Sequence, residues 1–350
     1  MLDFFARNYS FTEADPPVVI AEAGVNHNGD IQLAKRLIDV AADAGAQIVK
    51  FQAFKTEKEI SRFAELAPYQ KETSPNAKSQ FDLCKALELG FGEFRQLKEH
   101  SDARGIGFLC SVFDFDSIDF IADDLKARTV KIGSGEITDA PLLEYVGRKK
   151  QAVILSTGAS TLAEVSEAVG VLKNAGCPDL ILLHCVSNYP APANELNLRA
   201  MLTLKREFGL PVGFSDHSMG NAAAIAAVAM GAVAIEKHFT LDRTMEGPDH
   251  AASAEPGELK QLVDDLMLVH AARGDGIKRP MPSESANQPL IRRSLVAGRN
   301  LAKGDVLGRA MIEIKRPADG IDPRRLNEVI GRKLTRDLRD DEPIRWSDLV

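Results

Sequence analysis

Eight short, β-branched apolar runs recur between residues 18 and 239. They are VVIAEAG (18–24), IVKFQ (48–52), GFLCSV (107–112), TVKIGS (129–134), AVILST (152–157), DLILLHC (179–185), PVGFSD (211–216) and AVAIEKHF (232–239). Most are followed by a helix-like stretch such as LAKRLIDVAADAG (33–45), whose apolar residues fall three and four apart and which stops at glycine. Near-continuous apolar strands alternating with helices form a parallel sheet covered by helices. Eight such units in about 250 residues favour closure into a (β/α)8 TIM barrel over an open doubly wound sheet. No GxGxxG motif follows the first run, which disfavours a dinucleotide fold.

The rhythm ends with the helix-like EPGELKQLVDDLMLVHAARG (255–274). Residues 1–274 are therefore expected to form the barrel, with 1–17 as a leader before the first strand. The stretch 53–91, with Pro68 and Pro75, reads as an extended loop after the second strand, where barrel enzymes build lids and pocket walls. Residues 275–290 are rich in Pro, Ser and charge and read as a linker. In 291–350, β-like runs (RRSLVAG, VLGRAMIEIKRP, PIRWSDL) surround turns such as AKGD and ADGID, which fits a small β-rich module too slight to carry much stability alone.

The net charge of −7 gives no support for nucleic-acid binding, while local lysines can still dominate a pocket for a small anion. No apolar stretch is long enough to span a bilayer, and the N-terminus lacks the order of a signal peptide. Cys84, Cys110, Cys177 and Cys185 have no CxxC spacing, and Cys110 and Cys185 read as small buried hydrophobes. A reducing cytoplasm is the expected compartment.

Chemistry in such barrels sits at the carboxyl ends of the strands. Those positions hold Glu22, Lys50, Gln52, Ser111, Lys131, Ser134, Ser156 and Thr157, then His184, Ser187 and Tyr189, then Ser215 to His217 and Glu236 to His238. Wet loops account for polar residues in general, but not for lysines inside IVKFQ and TVKIGS. A lysine in a barrel mouth needs an anion or loses its proton. Lys50 and Lys131 could clamp a phosphate, helped by GSGE (133–136) and STGAS (156–160). Alternatively, one could be a depressed-pKa amine that forms a Schiff base, as in an aldolase. Two lysines with Ser134, Ser156 and Ser215 favour the phosphate pocket.

His217 and His238 end consecutive runs on either side of a helix-like stretch, Asn221 to Met230, which sets their imidazoles side by side as candidate ligands of one metal. His27 and His250 are further metal-ligand candidates, though loop histidines are usually just solvated. The acidic groups are Glu22, Glu136, Asp216, Glu236 and Asp249. Glu22 could bind sugar hydroxyls, act as a base, or pair with Lys50 on the next strand. Ser111, Glu136 and Ser187 complete the substrate-side candidates.

The ordered set AEAGVNHNGD, VKFQ, KIGSGE, STG, HC-x-x-x-YPAP, GFSDH and EKHFT-x-D-x-x-x-GPDH resembles the sialic-acid (N-acetylneuraminate) synthases. The resemblance covers essentially the whole chain, because 291–350 looks like their C-terminal antifreeze-like (SAF) domain. KFQAFKTE, APYQK and GPDHAAS look closest to the bacterial legionaminic-acid and spore-coat-polysaccharide branch. The resemblance implies a transferase that condenses phosphoenolpyruvate with an open-chain N-acetylmannosamine-type sugar to give a nine-carbon 2-keto acid and phosphate. It places Lys50, Lys131, Ser134, Ser156 and Ser215 on phosphoenolpyruvate, and His217 and His238 on Mn2+ or Mg2+. Glu22, Gln52, Tyr189 and Asp249 would line the sugar and the attacking water. Arg316, in IKRPADG, would reach the sugar's N-acetyl group in the partner subunit of a domain-swapped homodimer. Val112, Ser187 and Ala159 depart from residues common in the family, which bears on sugar identity more than on reaction type. The competing enzyme reading is a metal-free Schiff-base aldolase using Lys131. A non-enzymatic ice- or carbohydrate-binding role for the C-terminal module leaves the charged mouth unexplained.

Overall fold

A computed structural model describes the 350-residue chain except residues 1, 5, 6, 67–69, 71–73, 75 and 76, with residues 2–4, 7 and 8 described by backbone alone. It divides into two compact units, Met1–Gly274 and Asp275–Val350.

In the first unit, a hairpin of β1 (Leu2–Phe4) and β2 (Arg7–Tyr9) precedes eight parallel strands. These are β3 (Val18–Gly24), β4 (Ile48–Ala53), β5 (Gly107–Val112), β6 (Thr129–Ile132), β7 (Ala152–Ser156), β8 (Leu180–His184), β9 (Val212–Asp216) and β10 (Ala234–His238). They match the eight apolar runs to within two residues at each end. β10 pairs with β3, which closes the (β/α)8 barrel.

Strand alternation sorts the side chains into two cores and one polar layer. Val19, Val49, Phe108, Val130, Val153 and Leu182 face outward into the main core with the helices. Ile20, Ile48, Leu109, Ile154, Ile181 and Leu183 face inward and fill the lower barrel. Two residues further along, the same inward face presents Glu22, Lys50, Ser111 and Ser156. The inner apolar layer is thus the floor of a polar mouth.

The expected leader does more than precede β3. β1 lies against β5 and β6, Tyr9 Oη donates to Gln47 O at 2.7 Å, and Phe11 joins the inner apolar cluster. Period-2 patterning over three-residue strands is too short to announce such a hairpin. The stretch after β4 is likewise not wholly irregular: it carries helices Thr56–Glu59 and Gln80–Leu87. Ser79 caps the second by accepting from Asp82 N, and Glu88 ties the first by accepting from Thr56 N and Oγ1. Pro68 and Pro75 lie outside the described residues.

The second unit contains an antiparallel pair, β11 (Ser294–Ala297) and β12 (Ile312–Lys315), around a small core that includes Leu295, Leu301, Val329 and Ile344. Residues 275–290 contribute a single turn, Pro282–Glu284, and the start of a short helix, Gln288–Ile291. The run PIRWSDL has β-bridges at both ends, Pro343 with Val296 and Leu349 with Leu334, and a 3-10 turn, Trp346–Asp348, in between, where Asp348 accepts from Arg345 N at 2.9 Å.

Candidate active site

Inward-facing residues at the carboxyl ends of the barrel strands form two connected groups. The first spans β9, β10, β3, β4 and β5. Lys50 Nζ lies 2.8 Å from Glu22 Oε1 and 3.6 Å from Glu236 Oε2, and donates to Ser111 Oγ at 3.0 Å. Gln52 donates to Glu22 Oε1 at 3.2 Å, and Ser215 Oγ donates to Glu236 Oε1 at 2.8 Å. Register accounts for the clustering, since Glu22 pairs with Lys50 and His238, and Glu236 with Ser215.

Charge is distributed unevenly within this group. Burial opposes the ammonium of Lys50, but Glu22 and Glu236 outweigh it and raise its pKa. Burial, with repulsion from Glu236, raises Glu22 despite the attraction of Lys50. For Glu236, burial is overcome by Lys50, Lys131 and the Ser215 hydrogen bond, which hold it at about 2. Lys50 is therefore a charged lysine already shared between two carboxyls.

The second group spans β6, β7 and β8. Lys131 Nζ donates to Ser156 Oγ at 2.6 Å and to Ile132 O at 2.9 Å. Among the described residues, no carboxylate lies within 4 Å of it. Burial, with repulsion from Lys50, lowers its pKa despite the attraction of Glu236. Beside it, Ser134 Oγ lies 3.2 Å from Cys185 Sγ and accepts from Gly158 N at 2.9 Å. A Cβ at Gly158 would run into Ser187 Oγ, Cys185 Sγ and Ser134 Oγ, so glycine keeps this cradle open. Glu136, on the turn Gly135–Thr138 after β6, has a buried Oε2 without a hydrogen-bond partner among the described residues, and burial raises its pKa.

His217 and His238 come together with ring centroids 5.6 Å apart, and Tyr189 stacks on His217 at 4.2 Å. His217 Nδ1 is engaged by Val186 O at 2.7 Å, which directs Nε2 toward Tyr189 Oη (3.3 Å) and Ser215 Oγ (3.2 Å). His238 Nδ1 is buried with no hydrogen-bond partner among the described residues, 3.7 Å from Asp249 Oδ2. Burial lowers the pKa of both imidazoles, that of His238 far below its usual value, which keeps them neutral and ligand-competent. Burial, with the charge of Glu22, pushes Asp249 up to about 7. An orphaned imidazole nitrogen beside a second imidazole and a carboxyl suits a divalent ion. No three His, Cys, Asp or Glu side chains form a ready-made cluster among the described residues, so the remaining ligands would be water or substrate.

Several polar residues near the strand ends face elsewhere. Asp216 and Lys237 alternate outward from His217 and Glu236 and pair with each other at 2.8 Å. His184 bonds Leu196 O at 2.8 Å outside the mouth. Both nitrogens of His250 are engaged, by Thr240 Oγ1 (2.7 Å) and Asn28 Oδ1 (3.1 Å), and His27 Nδ1 accepts from Gly29 N. Burial lowers both of these imidazoles to about 4. Arg316 follows β12 in the second unit and is exposed. Two members of the mouth have no role assigned from sequence: Glu236, placed at a strand end and among the acids, is the central acid, and Cys185, read as a small buried hydrophobe, is the neighbour of Ser134. Each sits two residues from an inward position, Glu236 from His238 and Cys185 from Leu183, so strict alternation along the strands identifies both.

A family model described as the NeuB family matches residues 37–278, and one described as the SAF domain matches residues 292–350. The chain belongs to the NeuB family. Among relatives of this NeuB-family chain, N,N'-diacetyllegionaminic acid synthase of Campylobacter jejuni is 46% identical over 94% of this chain and 98% of that protein. A solved structure of N-acetylneuraminic acid synthetase from Leptospira borgpetersenii, in complex with citrate, is 38% identical with a TM-score of 0.69, covering 78% of this chain and 90% of that one. The spore coat polysaccharide biosynthesis protein spsE of Bacillus subtilis is 31% identical with a TM-score of 0.63, covering 96% and 95%.

Proposed function

We propose that this NeuB-family enzyme condenses phosphoenolpyruvate with the open-chain aldehyde of an N-acetylated mannosamine-type sugar, giving a nine-carbon 2-keto acid and phosphate. The observation that carries the reading is Lys131: a buried amine beside Ser134, Ser156 and an open glycine cradle, with no carboxylate within 4 Å among the described residues. Such a group calls for an anion from outside. Lys50 and Lys131, with Ser111, Ser134, Ser156 and Ser215, hold the phosphate and carboxylate of phosphoenolpyruvate. Glu22, Gln52, Glu136, Ser187, Tyr189 and Asp249 line the sugar and the attacking water.

His217 and His238 hold Mn2+ or Mg2+. When bound, that ion supplies Lewis-acid polarisation of the sugar aldehyde. The nucleophile is C3 of the enol, so no protein nucleophile is required. As the C3–C1 bond forms, the aldehyde oxygen takes a proton from a protonated carboxyl at the mouth and C2 becomes cationic. Water adds to C2 and returns a proton to that carboxylate, and the C2–O bond to phosphate then breaks, the remaining hydroxyl proton leaving with phosphate to give the ketone. The lysines act by neutralising substrate charge in a site whose low dielectric amplifies them. Arg316 supplies a contact to the N-acetyl group across a domain-swapped homodimer, and the enzyme works in the cytoplasm. No helix among the described residues is long and apolar enough to cross a membrane, and all four cysteines are free.

Phosphate release from phosphoenolpyruvate, measured with a panel of N-acetylated hexoses including N-acetylmannosamine and a 2,4-diacetamido-trideoxy sugar, tests the reading. Release no faster than in the sugar-free control across the panel would sink it. The lowered Lys131 pKa is the feature an aldolase would share, so borohydride trapping with pyruvate is run alongside. Labelling of Lys131 would favour the aldolase.

A further inference from the structure

One carboxyl at the barrel mouth has no task in the reaction described above. Glu59 ends the helix Thr56–Glu59 on the segment after β4, and its Oε2 is buried without a hydrogen-bond partner among the described residues. It borders a cavity of about 180 Å³ whose wall also contains Gln52, Tyr189, His238 and Asp249. Much of the rest of that wall is apolar, including Phe54 and Leu83, and its described residues include no lysine or arginine. Buried polar atoms in folded proteins are paired as a rule, so an orphan in a cavity wall marks where a partner from outside fits.

The wall decides which substrate that partner belongs to. Phosphoenolpyruvate is an anion, and its lysines do not border this cavity, whereas Glu59 and Asp249 do. A neutral group with a hydrogen-bonding atom and some apolar surface suits the space better. Burial, with the charges of Glu136 and Asp114, pushes Glu59 up to about 8, so at neutral pH its carboxyl offers both a donor and an acceptor.

We infer that Glu59 is a specificity-determining residue: its carboxyl hydrogen-bonds an uncharged amide or hydroxyl substituent of the acceptor sugar, on the part of the chain remote from the aldehyde. The inference rests on the function proposed above and adds to it one residue and one constraint. A sugar carrying phosphate at that end would meet two acids and, among the described residues, no cation.

Steady-state kinetics of Glu59→Leu and Glu59→Gln in the full-length, metal-loaded enzyme test this, with KM read separately for the two substrates. Glu59→Leu removes the hydrogen bond and is expected to raise the sugar KM by about tenfold while leaving the phosphoenolpyruvate KM within twofold. Glu59→Gln keeps a donor and an acceptor in the same shape and is expected to restore the sugar KM to within about threefold of wild type. The wild type is expected to use a 6-phosphorylated acceptor at least tenfold less efficiently than its unphosphorylated counterpart. A Leu variant with wild-type sugar KM, or one in which both KM values rise together, overturns the role of Glu59 while leaving the synthase reading intact. A wild-type enzyme inactive with every acceptor overturns both. Thermal melting and phosphoenolpyruvate binding by calorimetry confirm that each variant is folded.

Discussion

Neighbouring residues on β10 face opposite sides of the barrel wall, and Lys237→Met tests that division. Lys237 is 2% exposed and donates to Asp216 Oδ2 at 2.8 Å, to Gly220 O at 2.9 Å and to Ser218 O. Asp216 is 1% exposed and keeps only Ser218 N (2.9 Å) and Ser218 Oγ (2.6 Å) as donors once the ammonium is gone. Methionine matches the length of the lysine stem, so the loss is electrostatic rather than steric. Removing one partner of a buried pair costs about 3–5 kcal/mol, because the other charge stays buried and uncompensated. At roughly 2–3 °C per kcal/mol for a domain of this size, the melting temperature should fall by on the order of 10 °C. Phosphoenolpyruvate affinity, measured by calorimetry well below both transitions, should stay within about twofold of wild type. Glu236→Gln, one residue earlier, should do the reverse: it keeps the hydroxyl contact to Ser215 but removes the charge facing Lys50 and Lys131. Turnover should fall, and the melting temperature should fall by less than in Lys237→Met because Lys50 keeps Glu22 at 2.8 Å. A Lys237→Met protein that melts with the wild type, or that is folded and has lost phosphoenolpyruvate binding, would refute the assignment of these two faces.

Other expectations follow from single contacts. His217→Ala should weaken Mn2+ binding in calorimetry at least tenfold with the circular dichroism spectrum unchanged, and unchanged affinity would remove His217 from the ligand set. Stripping the metal with a chelator should abolish phosphate release, with activity returning on addition of Mn2+ or Mg2+; full turnover in a verified metal-free preparation would defeat the metal assignment. Arg316→Ala should raise the sugar KM and leave that of phosphoenolpyruvate unchanged, and equal effects on both would argue against its placement. Burial alone would raise Glu88, but hydrogen bonds from Thr56 and the lysines Lys85 and Lys55 hold it at about 2. Its stabilisation is therefore complete above its ordinary value of 4.5 and drains away as pH falls toward 2. Glu88→Gln should cost about 1–3 kcal/mol at pH 7, with the gap to wild type narrowing between pH 5 and pH 3 in urea titrations.

The barrel was legible because its strands are apolar throughout, a pattern that parallel strands buried on both faces impose. Eight of these runs in sequence leave few alternatives to closure. The small elements were not legible, for reasons of length and partner. The strands Leu2–Phe4 and Arg7–Tyr9 offer three residues each, too few to show a period, and β1 lies against β5 and β6. The turn Trp346–Asp348 lies inside a run that reads as β-like, PIRWSDL, and is decided by one carboxylate, Asp348, folding back on Arg345 N. Such local side-chain bonds override propensity at little cost when the segment is short.

At the mouth, the residue types were readable and their facing was readable only with the period applied. Taking each strand end as a polar cluster groups Asp216 with His217 and Lys237 with Glu236. Counting back by two from His238 instead selects Glu236, and from His217 selects Ser215, which hydrogen-bond each other at 2.8 Å. The same count from Ile20 and Ile48 gives Glu22 and Lys50, which are 2.8 Å apart. What no count supplies is the electrostatic asymmetry between the two lysines. Both occur as single cations in apolar strands, yet Lys50 lies within 4 Å of two carboxyls and, among the described residues, Lys131 within 4 Å of none. That difference arises from β10 and β3 both flanking the Lys50 side of the barrel, and so from closure itself. It leaves Lys50 as a charge fixed within the protein and Lys131 as the charge open to an incoming anion. Lys131→Met should therefore weaken phosphoenolpyruvate binding while stability changes little. Lys50→Met should lower stability as well, because it strands Glu22 and Glu236 in the core of the mouth. Equal effects of the two substitutions on stability, measured by urea unfolding, would show that the asymmetry does not govern the site.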